Sequence, residues 1–484
     1  MLDDGEPGEV TPVAVHDRLF VGGNWVAPEG SSAIPVVDPA SEDVVATVPA
    51  GGVSDVDRAV DAARAALGPW SATSPAARGA CLARIAEGLD HRRSEIAEVI
   101  ARELGMPLAQ CDAIQVGMAI TSFASMVEVA ELVPGDERVG HSVVTYEPVG
   151  VVGAITPWNF PLQQIAVKVA AALAAGCTVV LKASEITPLN ALLLAEIVAD
   201  SGLVPGAFNL VTGTGPIVGE AIAAHPDVDM VSFTGSTRAG SRVAELGAAS
   251  VKRIALELGG KSPNVVLDDA DLDRAVAQGV ASAFANSGQA CSAQSRLLVP
   301  RSRLARVEEL AVEAAESYTT GDPFAEATRL GPLVSARQRD RVRSYISAGI
   351  EEGATLLTGG PQPPEGLATG YFVRPTVFSG VTSGMAIARD EIFGPVLSIM
   401  AYDSEEEAVA IANDSPYGLS AGVWSADVER AIGVARRIHT GHVAINGSAF
   451  DQLAPFGGRK RSGVGRENGR FGVAEFLEPK TLQL

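Results

Sequence analysis

One of four cysteines, Cys291, lies in the run Phe284-Ala285-Asn286-Ser287-Gly288-Gln289-Ala290-Cys291-Ser292. Small and polar neighbours suit a turn whose backbone can come close to a ligand. A thiolate attacks carbonyl carbon, so this residue is a candidate nucleophile. A lone cysteine is ordinarily a small buried hydrophobe, and a second segment shifts that balance. Ile254-Ala255-Leu256-Glu257-Leu258-Gly259-Gly260-Lys261-Ser262 is a strand-like run with one carboxylate among apolar residues, ending in two glycines. Apolar surroundings raise a carboxyl pKa toward that of a useful general base.

Residues so far apart must be brought together by a fold, and the chain is long enough for one. Its 484 residues allow two or three domains with substantial cores. Hydrophobic residues make up 47% and charged residues 20%, the balance of a globular protein. A formal net charge of −21 argues against nonspecific binding to nucleic acid or to an anionic membrane surface. Cys81, Cys111, Cys177 and Cys291 are dispersed, without metal-ligand or disulfide-scaffold spacing, and the histidines form no zinc motif, so no metal is expected. The apolar run Val169 to Leu181 is too short to cross a bilayer. Met1 to Glu9 is acidic and does not read as a secretory signal. A reducing cytoplasm is the expected compartment, and it suits a thiol nucleophile.

From Gly150 the pattern alternates strand and helix. Val151–Ile155, Cys177–Lys182, Phe208–Thr212, Val228–Thr234 and Lys252–Leu258 read as strands; Pro161–Ala175 and Pro188–Ala199 read as helices. This predicts a parallel doubly wound sheet with ligands at the carboxyl ends of its strands. The alternation resumes beyond Gly259, predicting a second α/β domain. Before Gly150, Leu19–Trp25 and Ala33–Thr47 read as short strands, and Ser54 is the expected cap of a helix to Leu67. Ala76–Leu104 and Pro107–Leu132 read as helices, and Val143–Pro148 as an extended linker. Two glycine-bearing turns follow strands: Gly213 to Gly219, and Gly235 to Gly240. Neither has the usual dinucleotide spacing, but each could cradle phosphate at a helix start. Gly260-Lys261-Ser262 imitates the end of an ATP-binding P-loop; position 255 is Ala255 where that motif needs glycine, so the reading fails.

The two opening segments resemble the signatures of the aldehyde dehydrogenase superfamily, Phe-x-Asn-x-Gly-Gln-x-Cys and Leu-Glu-Leu-Gly-Gly-Lys. Further segments match that family in order: Thr156-Pro157-Trp158-Asn159-Phe160-Pro161, Lys182-Ala183-Ser184-Glu185, Phe233-Thr234-Gly235-Ser236-Thr237 and Glu391-Ile392-Phe393-Gly394-Pro395. The resemblance runs from about Leu19 to the C-terminus. It implies oxidation of an aldehyde with NAD through a cysteine thiohemiacetal and thioester, with Glu257 activating the hydrolytic water. Asn159, with the backbone N–H of Cys291, would hold the alkoxide. Lys168 and Glu467 match positions that relay protons to the base, although a structural ion pair would read the same way. Cofactor and Glu257 together are expected to lower the Cys291 pKa. A CoA-acylating relative is the nearest alternative, and Glu257 speaks against it. A non-catalytic protein retaining the fold is the other, and the presence of Cys291, Glu257 and Asn159 speaks against that.

The resemblance also implies a cofactor set. Lys182 and Glu185, beside Ser184, would meet the adenosine ribose, with Ala183 departing from the family's usual proline. A carboxylate there repels a 2′-phosphate, so NAD is expected over NADP. Phe233, Thr234, Gly235 and Ser236 match the pyrophosphate side; Glu391 would bind the nicotinamide ribose and Phe393 would lie by the ring. Ile155, Thr156, Pro157, Trp158, Gly215, Leu258 and Gly259 complete the set. Phe160, Val167, Phe450 and Phe456 match the substrate tunnel. The loop Gly447–Phe456 holds Asp451 and neither Arg nor Lys, favouring an uncharged or cationic aldehyde.

The expected organisation is α/β throughout. Residues 1–15 would form a mobile acidic arm. Residues 16–132 and 150–258 would make a Rossmann-like NAD-binding domain, and 259–446 a catalytic domain, with 447–468 returning to the active site. A small β extension, 133–149 and 469–484, would serve oligomerisation by pairing across subunits in a homodimer or homotetramer.

Overall fold

The computed structural model describes residues 14–131 and 135–484. The expected mobile arm lies outside the described residues as far as residue 13, while Ala14–Val15 pair in parallel with Ala46–Thr47. The boundary at 132/133 also falls outside them.

Two large sheets carry the fold, which is α/β as expected. The first has eight strands. Its centre is Val151–Ile155, flanked by Thr178–Lys182 and Met230–Thr234, both parallel to it. Phe208–Leu210 continues the parallel set on one side and Arg253–Glu257 on the other. Every residue of Val151–Ile155, Thr178–Lys182 and Met230–Thr234 is buried, which is why these strands read as mostly apolar runs, with Ser232 the polar residue inside them. Gly153 is small for a reason: a Cβ there would run into Ile222.

Chain order places the first three of these parallel strands to one side and the later two to the other. The order therefore reverses between Val151–Ile155 and Met230–Thr234. A crevice opens at the carboxyl ends of two such strands, and there a ligand is expected. The residues at that crevice are Thr156–Asn159 and Gly235–Ser236.

The second sheet has seven strands. Pro263–Val266 begins it directly after the Gly259-Gly260 turn, flanked by Arg296–Pro300 and Gly422–Trp424. Cys291 precedes the amino end of Arg296–Pro300. The carboxyl ends of the first sheet thus face the amino end of the second, with Gly259-Gly260 between them. Gly463–Val464 then returns to pair antiparallel with Leu256–Glu257, and this brings Glu467 back beside the first sheet.

Several local expectations are corrected. The first long helix starts at Val53, not after Ser54; Gly52 is its cap, and Asp55 Oδ2 accepts from the Gly52 N–H at 2.9 Å. The run Ala76–Leu104 is two helices, Pro75–His91 and Arg93–Leu104, broken at Arg92. The run from Pro107 contains a π-turn, Cys111–Val116, before Gly117–Glu131. Leu108–Ala130 is long and apolar enough to cross a membrane by length and composition. It packs on Pro75–His91 and Pro161–Ala175 with Ala119, Phe123 and Met126 buried, as a core helix does.

Ser142–Pro148 is a strand and not a linker. It pairs with Glu137–Val139 and, over its whole length, with the tail Leu477–Gln483 of the same chain.

Candidate active site

The helix Leu272–Phe284 ends where Asn286 and Ser287 turn left-handed, at φ 50° and 56°, followed by Gly288 at 73°. Two non-glycine residues in that region cost about 1–3 kcal/mol each. Buried hydrogen bonds hold them there. Ser287 Oγ donates to the Gly331 carbonyl at 2.9 Å, and Gln289 Oε1 accepts from the Val334 N–H at 2.9 Å. Gly288 admits no side chain, because a Cβ would strike the Gly394 backbone. The loop so fixed carries Cys291, which is partly exposed.

Asn159 is brought to the same loop. Its Nδ2 donates to the Gln289 carbonyl at 2.9 Å. Its own carbonyl accepts from Asn286 Nδ2 at 2.8 Å and from Gln115 Nε2 at 3.3 Å. Three segments distant in sequence thus lock the Asn159 amide beside the residues leading into Cys291. Asn286 is the asparagine of the cysteine-loop signature, and its part as a structural support comes from this contact; Gln115 lies in a mainly apolar run that no motif marks.

Glu257 ends its strand buried, with neither carboxylate oxygen hydrogen-bonded. It lines a cavity with Val167, Lys168, Arg466, Glu467 and Glu475. Burial raises its pKa well above the usual carboxylate range; Glu467 adds to this, while Lys168 and Arg466 oppose it. Lys168 Nζ and Glu467 Oε1 form a buried ion pair. Val167 faces this cavity, whereas Phe450 and Phe456 stand elsewhere, in an aromatic cluster with His442. The Phe450–Phe456 and His442–Phe456 ring centroids lie 5.8 and 5.4 Å apart. His442 carries no family motif and is not foreseen. Burial lowers its pKa to about 4, so the ring is neutral, and it shares a hydrogen bond with Ser420 Oγ at 2.8 Å. Phe160 is the residue before the helix Pro161–Ala175.

The Cys291 thiol departs from expectation. Its pKa is pushed up to about 12 by burial, then by Glu391, Glu257 and Glu467, with a Ser292 N–H bond opposing. An ionised Glu257 by itself disfavours the thiolate, because like charges in a poorly solvated site repel, so its charge alone does not supply the expected lowering.

The crevice of the first sheet fits a dinucleotide. Thr156 and Thr234 carry buried hydroxyls without partners, at the carboxyl ends of adjacent strands. Ser236 caps Thr237–Ala248 by accepting from the Ala239 N–H at 3.3 Å, leaving a helix N-terminus at the crevice mouth. Lys182 and Glu185 are ion-paired, and Glu185 Oε1 accepts from the Gly215 N–H at 3.3 Å. Burial alone would raise the Glu185 pKa, but Lys182 leaves it lowered on balance, so the carboxylate is charged. Ser184 Oγ accepts from the Ile186 N–H. Ile155, Phe233 and Leu258 are buried around the same strand ends, with Pro157 half-buried. Trp158 and Phe393 meet edge to face with centroids 5.3 Å apart. Glu391 Oε1 accepts from the Gly260 N–H at 3.0 Å, against Gly259, and burial lifts its pKa to about 7. Among the described residues no group of His, Cys, Asp and Glu is placed to hold a metal.

Residues 25–482 match the model of the aldehyde dehydrogenase family. A 3-succinoylsemialdehyde-pyridine dehydrogenase from a Pseudomonas species is 50% identical over 468 residues, covering 96% of this chain and 98% of the relative. Aldehyde dehydrogenase C from Pseudomonas syringae, solved as a cysteine-to-alanine variant with NAD+ and octanal, superposes with a TM-score of 0.95 at 50% identity over 98% of this chain and 99% of that one. An NAD+ complex of a Mycobacterium tuberculosis aldehyde dehydrogenase gives 0.95 at 44% identity, over 98% and 99%. With the cysteine loop, the amide beside it and the dinucleotide crevice in one fold, the chain belongs to the aldehyde dehydrogenase family and oxidises an aldehyde to a carboxylic acid with NAD+.

Proposed function

We propose that Cys291, Asn159 and Glu257 divide this oxidation between them. The observation that carries the reading is the bond from Asn159 Nδ2 to the Gln289 carbonyl, which holds the amide two residues from the thiol. Cys291 sulfur attacks the aldehyde carbon after losing its proton, and the alkoxide forms against the Asn159 amide and the Cys291 N–H. Such preorganised donors stabilise charge where it develops, in a site with little water to compete. Loss of hydride from the thiohemiacetal carbon leaves a thioester on Cys291. NAD+, when bound, supplies the hydride acceptor. Glu257 then takes a proton from water, which attacks the thioester and frees the acid. The Lys168–Glu467 pair lies beside Glu257 and would pass that proton on.

The cofactor would be held by Ile155–Trp158, Phe233–Ser236, Leu258 and Gly259, with Lys182, Ser184, Glu185 and Gly215 at the adenosine ribose and Glu391 and Phe393 at the nicotinamide end. Residues 16–132 and 150–258 form the cofactor domain in this reading, and 259–446 the catalytic domain. The small sheet of Glu137–Val139, Ser142–Pro148 and the tail leaves strand edges open, which supports its use in a homodimer or homotetramer. A cytoplasmic enzyme is the companion proposal.

The substrate is proposed to be an uncharged aldehyde with an apolar or aromatic body. Phe160, Phe450 and Phe456 offer such a body contact, and the loop with Asp451 offers no cation to a distal carboxylate. The octanal of one relative's complex and the pyridine named for another point the same way. A panel of aliphatic, aromatic, amino- and carboxy-aldehydes tests it by NADH absorbance. Highest kcat/KM for a carboxy-aldehyde would refute it.

A further inference from the structure

Gln115 is a fully buried amide on a mainly apolar stretch. It is 0% exposed, beside buried Val116 and Ala119. It belongs to the π-turn Cys111–Val116, and such turns cost stability and recur at functional sites. Arg93 clamps that turn, with Nε donating to Asp112 Oδ1 at 2.6 Å and Nη2 to the Asp112 carbonyl at 3.2 Å. Burying an amide among apolar groups is unfavourable unless it is hydrogen-bonded. Gln115 is only half satisfied: Nε2 donates to the Asn159 carbonyl at 3.3 Å and weakly to Met106 Sδ at 3.9 Å, and Oε1 has no partner. A methionine of similar volume would leave no orphaned oxygen, so packing alone does not favour glutamine here.

Its shorter bond, to an oxygen, lies on the catalytic side. Asn286 Nδ2 approaches the same carbonyl at 2.8 Å from the cysteine loop. Two donors from separate segments therefore fix the Asn159 peptide, and the Asn159 side chain then reaches the Gln289 carbonyl. We propose that Gln115 is a positioning residue: through the Asn159 carbonyl it sets the angle at which the Asn159 amide meets the developing alkoxide. This rests on the reading of Asn159 as the alkoxide's donor.

The test is single-turnover NADH formation by stopped flow, with enzyme in excess over octanal and saturating NAD+, beside thermal melting and calorimetric NAD+ binding. Gln115→Met is expected to melt no lower than wild type and to bind NAD+ equally, yet form NADH about tenfold more slowly, the scale of a misplaced catalytic group. Gln115→Glu supplies the rescue. As a neutral acid it keeps one donor, so its rate approaches wild type at low pH. It falls toward the methionine variant as pH rises and the carboxylate faces the Asn159 carbonyl. A wild-type rate in Gln115→Met, or a Gln115→Glu rate with the wild-type pH profile, overturns the proposal. Asn159→Ala runs in parallel: if it too keeps the wild-type rate, the reading of Asn159 fails; if it alone is slow, only the role of Gln115 fails.

Discussion

The Asn159 amide and the Gln289 carbonyl are hydrogen-bonded at 2.9 Å across the junction of the two large sheets. In the proposed mechanism that bond makes the oxyanion site a property of the folded junction and of neither sheet alone. Asn159→Ala removes the donor and leaves the thiol. Its single-turnover rate is expected to fall by about 10²–10³ with NAD+ binding unchanged, the usual consequence of losing one such donor. Calorimetry and stopped-flow absorbance separate the two effects.

Glu257 has no hydrogen-bond partner on either oxygen, so a glutamine in its place breaks no bond of the resting protein. Glu257→Gln is expected to form one equivalent of NADH per site and then stall, turning over about 10²-fold or more slowly than wild type. Intact-mass spectrometry should find the acyl adduct on Cys291. Unimpaired turnover, or a stall with no adduct, would contradict its role as base.

Glu185 stands charged beside Lys182. With the adenosine ribose placed there as proposed, a 2′-phosphate would meet a like charge at short range, a repulsion of up to about 4 kcal/mol near a protein surface. Glu185→Ala removes that charge and frees Lys182 to meet the phosphate. The ratio of kcat/KM for NAD+ over NADP+ is expected to drop at least about tenfold, read from initial rates with each cofactor at fixed aldehyde.

Thiol reactivity carries a pH signature. The folded Cys291 pKa is raised, toward about 12, so the neutral thiol dominates at pH 7 and the thiolate fraction keeps growing as pH rises. Alkylation of Cys291 by iodoacetamide in the cofactor-free enzyme should therefore accelerate through pH 7, 8, 9 and 10 without levelling. A plateau reached below pH 8 would show a thiol already ionised. Peptide mass spectrometry distinguishes Cys291 from the buried Cys81, Cys111 and Cys177.

Much of the site is legible in the sequence because its residues sit at strand ends. Burial on both faces makes the central strands mostly apolar, so Thr156, Lys182, Thr234 and Glu257 stand out as polar residues at their carboxyl ends. Cys291 is legible from its small neighbours. What is not legible depends on contacts between distant segments. Gln115 and Asn286 acquire meaning only when both reach the Asn159 carbonyl. His442 shows itself only against Phe450 and Phe456. The break at Arg92 and the π-turn at Cys111 lie inside runs whose apolar spacing suits unbroken helix. The raised thiol pKa follows from Glu391, Glu257 and Glu467 converging on Cys291, and no spacing in the chain announces that.

The most direct measurement is NADH formation by wild type and Cys291→Ala with NAD+ and octanal, alongside calorimetric NAD+ binding to both. The wild type is expected to form NADH, the variant none, and both to bind NAD+ with equal affinity. NADH production by Cys291→Ala at the wild-type rate would contradict the assignment of Cys291 as the nucleophile.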